Sequence, residues 1–106
     1  MGSRLPRFNE LLSESIGEAV KEVLSSQVLE AIYNNLEQHH AITRDELPYR
    51  LPTLYHVLEQ TFGIRGAKSI GKVVAKKFYT RMNLEFIDNP EYTFYDYLEE
   101  AKQKIK

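Results

Sequence analysis

Apolar residues return every three to four positions along almost the whole chain, and that period admits little but helices. Runs rich in β-branched residues with a period of two, which strands need, are absent. A first helix is expected over 8–24, with Leu12, Ile16, Ala19, Val20 and Val23 on its buried face. Ser25-Ser26 then offers side-chain oxygens for an N-cap. A second helix is expected over 27–39, carrying Val28, Leu29, Ile32, Tyr33 and Leu36 on one side. Thr43-Arg44-Asp45-Glu46 has the pattern of a capping box and predicts a short helical turn. Pro48 and Pro52 interrupt there, because proline disfavours helix at the residue before it.

A third helix is expected over 52–62, with Pro52 in its first turn and Gly63 as its stop. A fourth follows over 67–82. After the turn cluster Asp88-Asn89-Pro90, Thr93 caps a fifth over 94–105, with Phe94, Tyr97, Leu98, Ala101 and Ile105 on one side. Only Leu84-Glu85-Phe86-Ile87 alternates enough to allow an extended stretch. The expected fold is therefore all-α, a compact bundle of about five helices forming one domain over 8–106. Residues 1–7 are expected to be disordered or a cloning remainder.

Size and composition exclude several classes. A chain of 106 residues has room for one domain, and without cysteine it has no disulfide, thiolate nucleophile or sulfur-ligated zinc. A hydrophobic content of 42% is that of a folding chain rather than a disordered one. No run approaches the roughly 20 apolar residues of a membrane span, and the first residues lack a signal-peptide core. A cytoplasmic protein without a membrane partner is the expectation.

Net charge is −1, but its placement is uneven. Residues 60–84 hold 6 basic and no acidic groups. At roughly 100° per residue, Lys68, Lys72 and Lys76 fall in one row, which Arg65 extends and Tyr79 adjoins. Lys77 and Arg81 sit instead at the margin of the apolar face. They either snorkel past the core or pair with carboxylates of another helix. The first helix carries the opposite stripe, Glu10, Glu14, Glu18 and Glu22. Like charges at that spacing disfavour an isolated helix. Either both stripes are solvated, or they meet across an interface where complementary potentials set the register.

Little points to catalysis. His39 and His40 diverge on a helix, and Glu37 with His40 makes only two ligands. A cap at the carbonyl end of the second helix is the simpler role for them. Gly63-Ile64-Arg65-Gly66 lacks the lysine and hydroxyl pair of a phosphate loop. No catalytic residue, metal site or cofactor is expected. The cluster Tyr92, Phe94, Tyr95 and Tyr97 is too broad for one narrow helix face, so part of it is wet or covered. The helix-interior glycines Gly17 and Gly71 are either tolerated or mark close helix approaches.

Several segments carry a family resemblance. Thr61-Phe62-Gly63-Ile64-Arg65-Gly66-Ala67-Lys68-Ser69-Ile70, then Lys77-Phe78-Tyr79 and Leu84-Glu85-Phe86, resemble a small archaeal helical domain family. That family is described as an output domain of Nitrosopumilus-type signalling proteins. Ala31-Ile32-Tyr33-Asn34-Asn35-Leu36-Glu37 and Tyr97-Leu98-Glu99-Glu100-Ala101 fit the same pattern, so the resemblance covers about residues 8–102. It implies an intracellular archaeal domain used in signalling or protein contact, and it carries over no catalytic residue.

The resulting expectation is a non-enzymatic interaction domain that binds a protein partner or forms a dimer or larger homo-oligomer. Arg65, Lys68, Lys72, Lys76 and Tyr79 are the candidate partner-binding residues, and Glu10, Glu14, Glu18 and Glu22 the acidic counterpart. The alternative is nucleic-acid binding through the basic helix 67–82, whose outline with the preceding helix resembles a helix-turn-helix. Its lysine-dominated row suits phosphates better than bases.

Overall fold

The structure is a computed structural model that describes residues 4–104, with side chains from Arg7 onward. It is all-helical, with no strand among the described residues. The order is α1 (Arg4–Val23), α2 (Ser26–His40), a 3-10 helix (Arg44–Tyr49), α3 (Leu51–Arg81) and α4 (Phe94–Lys104). Helix α1 starts earlier than expected, so residues 4–7 of the anticipated lead are helical. Ile105, expected on the inner side of the last helix, lies outside the described residues.

Local chemistry sets the boundaries. The Ser25 hydroxyl accepts from the Val28 N–H at 3.1 Å and opens α2. Glu46 accepts the Thr43 N–H at 2.9 Å, closing the capping box of the 3-10 helix. Thr93 and Asp96 cap α4 reciprocally, each backbone N–H donating to the other's side chain. Residues 84–89 adopt no regular structure, as an extended return would.

The expected third and fourth helices meet differently from the expectation. Gly63, at φ 81° and ψ 170°, breaks the helical path, but Ile64 resumes it at once. Gly63 thus divides two helical arms as expected, but the second begins at Ile64, so no loop separates 64–66 from it. A single residue in a region nearly closed to side chains redirects the chain and leaves both arms helical.

The core lies between α1 and both arms of α3, closed by α2 and α4. Phe8, Leu12, Ile16 and Val20 of α1 pack with Val74 and Phe78 of α3, Phe8 meeting Phe78 edge to face. Both interior glycines serve close packing. A Cβ on Gly17 would reach the Tyr33 hydroxyl at 3.0 Å, and one on Gly71 would meet Phe94 and Tyr55 at 3.3 Å. Val23, expected inside, is the last residue of α1 and is 43% exposed, while Leu24 after it packs against the core.

Candidate basic docking face

The second arm of α3, residues 64–81, positions the charged row. Its buried side is built from Ile70, Val74 and Phe78. The same arm carries Ala67, Gly71, Ala75 and Tyr79 every four residues, and all four are buried, Gly71 against Phe94 and Tyr55 and Tyr79 against Phe86 and Tyr97. Arg65, Lys68, Lys72 and Lys76 remain exposed between these contacts. Lys72 reaches Asp88 at 2.8 Å, and that hydrogen bond raises its ammonium above the ordinary value. Arg65, Lys68 and Lys76 form no salt bridge among the described residues.

Tyr79 corrects the sequence reading. Projected on a helix it falls in line with the lysines, yet its side chain is fully buried. Its hydroxyl donates to the Tyr97 carbonyl at 2.6 Å and lies 3.2 Å from a Glu100 oxygen. Burial first, then the Glu100 carboxylate, pushes the Tyr79 phenol far above its usual value. Burial likewise pushes Glu100 up, but the hydrogen bonds from Tyr92 and Tyr79 and the Lys104 ammonium outweigh it and hold the carboxyl low. Tyr79 is a structural member of the α3–α4 seam and unavailable to a partner. The signal for this was in the chain: small residues at 67, 71 and 75 mark a close helix approach, and Tyr79 continues that row.

The acidic stripe is also largely occupied. Arg81 pairs with Glu14 at 2.9 Å and with Glu18 at 2.8 Å, while Lys77 reaches Glu22 at 2.6 Å. The Arg81 hydrogen bond is the main cause that lowers the Glu18 carboxyl, and the Glu22 bond raises the Lys77 ammonium. Lys77 and Arg81 therefore pair with another helix, one of the two roles open to them. Of the four glutamates only Glu10 forms no salt bridge among the described residues.

Other candidates offer less. Tyr92, Phe94 and Tyr97 pack inward, and Tyr95 stays 38% exposed against Tyr55 and Phe94. A cleft of about 250 Å³ lies beneath Lys68 and Lys72. Its polar groups bind one another: Lys72 holds Asp88, the Asn89 N–H donates to the Tyr97 hydroxyl, and Tyr92 donates to Glu100. His39 and His40 occupy the last turn of α2. No three His, Cys, Asp or Glu side chains converge among the described residues. None of the described helices is long and apolar enough to cross a membrane.

The fold and this face define an all-α helical domain that presents unpaired cations on a rigid helix. No protein family, curated protein or solved structure matches the chain.

Proposed function

We propose that the chain is a non-enzymatic interaction domain that docks an acidic protein surface onto the basic face of α3. The observation that carries this is a difference in pairing. Lys77 and Arg81, on the inner margin of α3, find carboxylates within the molecule. Arg65, Lys68 and Lys76 of the same arm form no salt bridge among the described residues. A rigid helix holds these charges in register, and such potentials set encounter rate and orientation. A cytoplasmic output domain of an archaeal signalling protein, the role that the resemblance of residues 61–70 implies and that no family match supports, would act by such protein contact.

Nucleic-acid binding is the second reading, favoured by the lysine-rich composition of the exposed row, which suits phosphates. An amide chemical-shift titration separates the two. With an oligoglutamate peptide, shifts are expected at 64–76 and abolished in Lys68→Glu/Lys76→Glu. Duplex DNA is expected to produce none at physiological salt. Salt-dependent DNA binding at the same residues, without a peptide response, would establish the second reading instead.

A further inference from the structure

Two surfaces of this molecule match each other, and they face different ways. One is the basic row of α3. The other is a groove of about 680 Å³ between α1 and the 3-10 helix. Glu10, Glu14 and Asp45 line that groove against a single guanidinium, Arg7. Glu14 is shared with Arg81, whereas Glu10 and Asp45 form no salt bridge among the described residues.

Each surface also holds an exposed apolar anchor. Tyr49 lines the groove and is 70% exposed, its hydroxyl accepting from the Asn9 amide at 3.0 Å. Ile64 stands at the head of the basic row and is 74% exposed. These are the two most exposed large hydrophobic side chains among the described residues. A charged rim around an apolar anchor is the usual anatomy of a docking surface.

One molecule cannot bring the two together. Lys77 and Arg81 bind α1; Lys68 lies roughly 180° around α3 from Lys77, whereas Lys76 borders a cleft with Glu18 and Glu22 without forming a salt bridge among the described residues. Lys68, at the head of the row, therefore points away from the helix that carries Glu10.

We infer that the acidic partner of the basic face is a second copy of this chain, received in the groove of Glu10, Asp45 and Tyr49. This rests on the docking role assigned to the basic face, and it changes the acidic side of that contact. The acceptor is no longer the whole glutamate stripe, most of which Lys77 and Arg81 occupy. It is Glu10, the one member of that stripe with no salt bridge among the described residues, together with two residues of the 3-10 helix. Ile64 of one copy covers Tyr49 of the next while Arg65 and Lys68 face Glu10 and Asp45. Because the two surfaces differ, the contact is head to tail, closing a ring or extending a chain.

Charge exchange tests it. Sedimentation velocity is run on the wild type up to about 1 mM, on Lys68→Glu/Lys76→Glu, on Glu10→Lys/Asp45→Lys, and on an equal mixture of the two variants. Circular dichroism establishes that each is folded. The wild type is expected to associate, less so at high salt. Each variant alone is expected to stay monomeric, since its two surfaces then carry like charge. The mixture is expected to associate again, because each variant supplies what the other lacks. Ile64→Ser or Tyr49→Ser is expected to weaken association about tenfold or more.

A wild type monomeric throughout, or a mixture that fails to associate, overturns self-docking. Association lost in the lysine variant but kept in Glu10→Lys/Asp45→Lys overturns the groove while leaving the basic face in its role. The converse result, with only the groove variant monomeric, overturns the basic face in self-association and leaves the oligoglutamate titration to judge its wider role.

Discussion

The Tyr79 hydroxyl ties α3 to α4. It donates to the Tyr97 carbonyl, and Tyr92 holds the neighbouring Glu100 from the other side at 2.9 Å. The ring contributes separately, standing edge-on to Phe86 and Tyr97. Tyr79→Phe keeps the ring and removes the bond, leaving a buried group short of its partner. The expected cost is about 1–3 kcal/mol, read as a lower thermal midpoint. An unchanged midpoint would mean the hydroxyl does not hold the seam. This residue was misplaced by helical projection, which ranks positions around one axis and is blind to a chain that folds back over it. The row Ala67, Gly71 and Ala75 contained the correction, because side chains that small at four-residue spacing leave room for another helix.

Among the elements, α3 controls the architecture through its kink. A Cβ on Gly63 would meet no atom within 4 Å, so a side chain there is opposed by backbone conformation alone. Gly63→Ala is expected to destabilise by about 1–3 kcal/mol, measured by denaturant unfolding. A stabilised variant would mean that the bend is not needed. Element ends were legible where their chemistry is local: Ser25, Thr43 with Glu46, and Thr93 with Asp96 each act within a few residues. The kink was legible as a break at Gly63. That the helix restarts at Ile64 was not, because the restart depends on the packing of 64–81 against α1 and α4. The burial of Val23 was misread for a related reason: periodicity along α1 does not say where α1 itself ends and the chain turns.

At the scale of the molecule, charge placement separates structure from function. The inner cations of α3 bind α1 and fasten the bundle. Of the outer ones, Lys72 pairs with Asp88, while Arg65, Lys68 and Lys76 form no salt bridge among the described residues, and the proposed docking role rests on these three. The all-α class and the basic block were both visible in the sequence, since each is a pattern along a single element. Which carboxylates are free was not, because Lys77 and Arg81 meet Glu14, Glu18 and Glu22 across more than 50 residues of chain. The Glu10, Asp45 and Tyr49 groove was out of reach for the same reason, being assembled from α1 and the 3-10 helix. The central claim, that the outer face of α3 docks into the groove of Glu10, Asp45 and Tyr49 of a second copy, is tested most directly by the amide spectrum of the wild type recorded as its concentration rises. The account predicts shifts confined to 64–76 and to the groove around 7–10 and 45–49. Shifts centred on another face, or a spectrum that never changes, would contradict it.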